Sequence, residues 1–179
     1  MHRVFKADLS QKGIEKLIKD LNYYRDVTLQ ARINELVTRL AEIGIKTATW
    51  HIRRSKLKNY VSIKTDISPE VMGCKAILIA TGETFVSDEY NDFNTLLAIE
   101  FGAGIHYNPE PNPKASELGF GVGTFPGQIH AFEDGWHYWD EESQSWKYTH
   151  GIKATMPMYR ASTKIVKNIK KIAKEVFSK

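Results

Sequence analysis

The stretch Val61-Ser62-Ile63-Lys64-Thr65-Asp66-Ile67, together with Ala76-Ile77-Leu78-Ile79-Ala80 shortly after it, decides the fold class. In the first segment β-branched residues alternate with polar ones, the period of two that suits a half-exposed strand. The second is a continuous apolar run, which predicts a strand covered on both faces. On either side of this region the apolar spacing changes to three and four, the period of helices. An α+β chain follows, with helices packed on a small antiparallel or mixed sheet.

Working outward toward the N-terminus, Ile14, Leu17, Ile18 and Leu21 form one helical stripe, and Leu29, Ile33, Leu36, Val37 and Leu40 form another. Ser10 is placed to cap the first turn. Asn22-Tyr23-Tyr24-Arg25-Asp26 lies where the stripe loses register, so the region reads as two helices in sequence or one bent helix. Gly44 stands where a left-handed C-terminal cap is expected, and the helical period is expected to stop there.

Toward the C-terminus, Phe93, Leu96, Leu97 and Ile99 fit a short helix or a strand, ended by Glu100-Phe101-Gly102-Ala103-Gly104. Residues 106–135 hold Pro109, Pro111, Pro113 and Pro126 with Gly119, Gly121, Gly123, Gly127 and Gly135, a long Gly/Pro-rich loop. Trp136-His137-Tyr138-Trp139 and Trp146-Lys147-Tyr148-Thr149 flank a polar connection and read as an aromatic β-hairpin. Pro157 suits the first turn of a last helix. In it Lys164, Lys167, Lys170, Lys171 and Lys174 alternate with Ile165, Ile169, Ile172 and Ala173, giving one apolar and one basic face.

The 179 residues, 42% of them apolar, suffice for one sizeable core, so 1–179 is read as a single domain. No apolar run is long enough for a membrane span, and Met1-His2-Arg3-Val4-Phe5-Lys6 lacks the apolar core of a secretory signal, so a soluble protein made in the cytoplasm is expected. Cys74, the single cysteine, can form neither an internal disulfide nor a multi-thiolate zinc site. The net charge of +4 is gathered largely in the last helix, where it serves as a solvated face near the helix C-terminus or as a phosphate-contacting surface.

Candidate chemistry is thin. Gly119-Phe120-Gly121-Val122-Gly123 is not followed by Gly-Lys-Ser/Thr or by a helix start, so it lacks the scaffold of a phosphate loop. His106, His130, His137 and His150, with Glu133, Asp134 and Asp140, form no HExxH pair or other tight ligand couple. Glu133 with Asp134, or Glu141 and Glu142 with Lys147, would place adjacent carboxylates on opposite strand faces, a poor arrangement for acid and base on one substrate atom. Neither an enzymatic activity nor a small-molecule substrate, cofactor or metal is expected. Glu100, between Ile99 and Phe101, reads as a brace that accepts N–H bonds from the glycine turn beside it.

An ordered set of segments resembles a known family. Leu97-Ala98-Ile99-Glu100-Phe101-Gly102-Ala103-Gly104-Ile105 is similar to the Glu-Phe-Gly-Thr-Gly signature of the minor tail-component and tail-completion family of lambda-like siphophages, with Ala103 in the threonine place. Gly121-Val122-Gly123-Thr124-Phe125-Pro126-Gly127, the tryptophan hairpin and Thr149-His150-Gly151-Ile152-Lys153-Ala154-Thr155-Met156-Pro157-Met158-Tyr159-Arg160-Ala161 continue the resemblance in order. Ile45-Lys46-Thr47-Ala48-Thr49-Trp50 departs from it, standing where the family often carries Val-Asp-Thr-Gly-x-Leu.

The resemblance implies a structural virion protein that acts in the tail or the head-to-tail neck, joining head to tail, completing the tail or terminating it. It implies a homo-oligomeric ring, expected to be hexameric, between connector or stopper and tail-tube proteins, with genomic DNA free to pass through the lumen. Expected interface residues are Glu100, Phe101, Gly102, Gly104, Phe120, Phe125, Trp136, Trp139 and Trp146. The aromatic residues can equally pack the chain's own core. The alternative reading is a nucleic-acid-binding module that uses the basic C-terminal helix.

Overall fold

In the computed structural model the described residues are 5, 6, 8, 10–70, 73–86, 93–103, 112–118, 135–140 and 142–178. Helix α1 (Gln11–Tyr23) begins where Ser10 Oγ accepts the Gly13 N–H at 3.1 Å. It runs through a π turn, Tyr24–Leu29, directly into α2 (Gln30–Ile52). The π turn falls where the apolar stripe loses register, because its wider i to i+5 bonding rotates one stripe relative to the next. The helical run from Gln11 to Ile52 is thus one rod, roughly 60 Å long at 1.5 Å per residue.

Two sequence expectations fail in α2. Gly44 is not a C-terminal cap, and the helical period does not stop there: the helix continues to Ile52. Gly44 lies on the buried ridge Ala41, Gly44, Ala48, Ile52. A Cβ there would sit 2.8 Å from Ile165 Cδ1 and 3.4 Å from Leu78 Cδ2. Small residues along this ridge let α4 (Pro157–Phe177) approach α2 closely. The two helices are clamped at the far end by Arg39 to Glu175 and by Arg32 Nη1 donating to the Phe177 carbonyl at 3.1 Å.

Strands β1 (Val61–Glu70) and β2 (Gly73–Gly82) form an antiparallel ribbon with Val61 opposite Gly82 and Glu70 opposite Gly73. In β1 the expected alternation holds, with Val61, Ile63, Thr65 and Ile67 half-buried and their neighbours exposed. In β2 the expectation of cover on both faces fails: Ala76 and Ile77 are exposed, and Leu78, Ile79 and Ala80 are only half-buried. The ribbon has two strands, and α2 is its main helical support, so among the described residues no second layer lies over the outer half. Gln30 Nε2 donates to the Gly73 carbonyl, tying the ribbon tip to the start of α2.

The remaining elements are short. Strands β3 (Thr84–Phe85) and β4 (Phe93–Asn94) pair and lead into α3 (Thr95–Phe101). Gly82 is required here, since a Cβ would lie 2.4 Å from the Leu96 nitrogen. Strands β5 (Trp136–Asp140) and β6 (Ser145–Thr149) form the expected hairpin, with Trp139 opposite Trp146. Of the long loop, 112–118 and Gly135 are described, the former carrying a turn and a short 3-10 helix, Ser116–Leu118. Among the described residues every named strand pair is antiparallel, within an α+β fold. No helix among them is long and apolar enough to cross a membrane.

Candidate functional site

Two of the motif segments that are far apart in sequence meet in space. Asn94 caps α3 by accepting the Leu97 N–H on Oδ1 at 3.1 Å, and Gly102, at φ 82°, ends it by donating to the Ala98 carbonyl at 2.8 Å. That positive φ is open to glycine at little cost, which explains the glycine after Phe101. Ala103 then pairs with Ile152, N–H to carbonyl at 2.9 and 2.7 Å in the two directions. The Ile99 carbonyl accepts from Thr155 at 2.9 Å and Met156 at 3.3 Å.

This pairing delivers the carboxylate of Glu100 to the start of α4. The N-cap residue is Met156, buried and left-handed at φ 52°, whose side chain has no oxygen to cap the helix. Pro157 at the first position needs no acceptor, having no N–H. The next two N–H groups are satisfied from 58 and 59 residues away: Met158 donates to Glu100 Oε2 at 2.8 Å and Tyr159 to Oε1 at 2.9 Å. The buried Asn112 donates its side-chain N–H to Oε1 at 2.9 Å.

Glu100 is therefore the brace expected of it, but its donors are not those of the adjacent glycine turn. They come from α4 and the described part of the loop, which only tertiary pairing brings near. Burial pushes the carboxyl pKa up, and the three hydrogen bonds, from Met158, Tyr159 and Asn112, act against that rise. The charge also sits at the positive end of the α4 dipole, where an anion is stabilised. Both oxygens are engaged by donors from the chain itself, an arrangement suited to holding elements together.

No family model, curated protein or solved structure matches this chain.

The expected interface residues divide into three groups. Glu100, Phe101 and Gly102 are buried inside the chain. Gly104, Phe120 and Phe125 lie outside the described residues, as do the side chains of Trp136 and Trp139, whose backbones form β5. Trp146 is 68% exposed on β6. The hairpin that carries it is braced at its turn by Asp140, which accepts from Lys147 Nζ and from the Ser143 N–H, the latter at 3.1 Å. The Lys147 and Ser143 bonds hold the Asp140 carboxyl down at about 2.

Of the loop histidines, His137 and His150 both lie against the Tyr148 ring, with centroids 5.0 and 4.9 Å from it, while His106 and His130 lie outside the described residues. No group of three metal-ligating side chains occurs among the described residues.

The sequence reading missed one surface. Helix α1 has no buried residue, and Ile14, Ile18 and Leu21 are exposed along it, Ile18 by 54%. The signal was present in the stripe itself, but a stripe states only that a helix has an apolar side.

Proposed function

We propose that this chain is a structural virion protein of a tailed phage that assembles as a ring, hexameric by resemblance, at the head-to-tail interface. In this reading its neighbours are connector or stopper and tail-tube proteins, and it completes the tail, joins it to the head or terminates it. The observation that carries the proposal is the uncovered apolar row of α1, set on a rod that continues into the packed body of the chain. A ring is built from contacts between two different patches, one on each neighbouring copy, so each subunit must offer an apolar surface it does not cover itself.

Two features support the same reading. Trp146 provides an exposed aromatic anchor on a braced hairpin, the type of residue that dominates interface energetics. The family-like segments at Glu100 and at Met156–Arg160 are joined by hydrogen bonds into one rigid locus, which a ring under mechanical load requires.

The test is electron microscopy of particles made after deletion of the gene, with the gene supplied in trans as control. Full heads lying apart from finished tails are the expected result for a joining protein, and abnormally long tails are expected for a terminator. Normal, infectious virions would overturn the structural reading.

A further inference from the structure

The rod formed by α1, the π turn and α2 is longer than α4, the helix that packs along it. Arg32 Nη1 donates to the Phe177 carbonyl at 3.1 Å, so α4 ends level with Arg32. From Arg32 back to Gln11 the rod runs on for roughly 30 Å at 1.5 Å per residue. The apolar row Ile14, Ile18 and Leu21 lies wholly in this overhang, beyond the end of the same chain's α4.

Helix α4 carries a second uncovered row. Ala161, Ile172 and Val176 are buried, whereas Val166 is 64% and Ile169 43% exposed, with the half-buried Ala173 one turn further on. At about 100° per residue these three share one edge of the helix, beside its buried face. The two rows match in pitch. Ile14, Ile18 and Leu21 step by four and three, and so do Ala173, Ile169 and Val166 taken in reverse, which fits antiparallel packing with Ile18 opposite Ile169. They also match in charge. Glu15 borders the α1 row on one flank and Asp20 on the other, with Lys12, Lys16 and Lys19 further round the helix. Lys170 and Lys174 border the α4 row on the side away from its buried face, and the antiparallel register sets Glu15 at a level between them.

We propose that α1 of one copy packs antiparallel along the Val166, Ile169 and Ala173 edge of α4 in the next copy, adding a third helix to the neighbour's α2 and α4. This contact rests on the ring assembly proposed above and names the two patches that meet in it. The patches differ, so the contact is head-to-tail: each copy gives its α1 to one neighbour and receives that of the other, the arrangement that closes into a ring. Packing the rows together takes exposed aliphatic side chains of both copies out of water, and the Glu15 carboxylate beside two ammonium groups fixes the direction. A second α1 is the poorer occupant. Two copies of α1 packed antiparallel on their apolar rows would set the Glu15 flanks against each other and likewise the Asp20 flanks, like charge on like.

The test is cysteine crosslinking of the full chain with a short bismaleimide in a Cys74→Ser background, alongside sedimentation velocity. An Ile18→Cys chain mixed with a tagged Ile169→Cys chain is expected to give the mixed dimer, with neither chain crosslinking to itself, and a chain carrying both cysteines is expected to give a covalent ladder. Dimers of the Ile18→Cys chain alone would mean that α1 pairs with α1 and would overturn the proposal. An oligomer in which positions 18 and 169 never join also overturns it and leaves the ring reading standing, because the ring then uses other patches. A chain that stays monomeric at every concentration overturns the contact, and the deletion phenotype then decides the ring reading by itself. Glu15→Lys is expected to weaken association by about fivefold, the upper scale of one exposed ion pair, and Lys170→Glu with Lys174→Glu in the same chain is expected to restore it. Weakening without restoration overturns the antiparallel pairing. Circular dichroism of each variant separates lost association from lost fold.

Discussion

Helices α1 and α4 look alike in sequence and differ in what they do. Both carry isoleucines and other aliphatic residues at spacings of three and four, with lysines between them. Yet α4 buries Pro157, Ala161, Ile172 and Val176, whereas α1 buries nothing. An amphipathic stripe states that a helix has a side to cover, and it carries no information on whether the cover comes from the same chain. For α4 the cover is the small-residue ridge of α2, and for α1 we assign it to a neighbouring copy.

The largest expected effect breaks the packed member of the pair. Ile172→Ala should cost about 2–5 kcal/mol in urea unfolding, since it removes a buried side chain and leaves a cavity. Gly44→Leu attacks the same contact from the other helix. Its side chain enters space already held by Ile165 and Leu78, so a loss of about 1–3 kcal/mol is expected, with the cooperative transition moved to lower denaturant. Unchanged stability would mean that α2 and α4 do not approach as described.

Glu100→Gln tests the cap at the start of α4. One oxygen that accepts a backbone N–H becomes an N–H₂ group, and an unsatisfied buried donor costs about 1–3 kcal/mol. The pH dependence has a defined sign. Because burial raises the folded-state pKa above 4.5, the native state binds the proton more tightly than the unfolded chain does. That contribution is fully present below pH 4.5 and is lost as pH rises through the folded value. Urea midpoints of the wild type should therefore fall toward neutrality relative to Glu100→Gln, and parallel profiles would show that Glu100 is not buried as a titrating group.

The smallest effect on stability belongs to α1 and sharpens the comparison most. Ile18→Ser should change monomer stability by no more than about 0.5 kcal/mol, because the residue is exposed. Under the proposed ring assembly, sedimentation velocity of the wild type should nevertheless show an oligomer that the Ile14→Ser, Ile18→Ser, Leu21→Ser chain has lost. A triple variant that assembles normally would remove α1 from the interface.

How far each element was legible follows from how local its cause is. Ser10, Pro157 and the paired aromatic segments of the hairpin act through neighbours a few residues away, and the structure places all three as expected. Gly44 in sequence fits a helix end because the same residue type serves a left-handed cap and a close helix crossing, and only the presence of Ile165 against it separates the two. Ala76–Ala80 suggests cover on both faces because an apolar run records a residue's preference, whereas cover depends on how many layers the fold supplies. The aromatic and glycine residues proposed for the interface were chosen from motifs, and Phe101 and Gly102 are in fact interior.

The sequence by itself determined the α+β class, the starts of α1 and α4 and the hairpin, because capping, proline geometry and period-two alternation are properties of short segments. Only the tertiary structure decided that Glu100 caps a helix 58 residues away and that Gly44 is a crossing point. Each of these depends on two segments meeting in space, and a linear pattern records what a segment can offer without recording what it will meet.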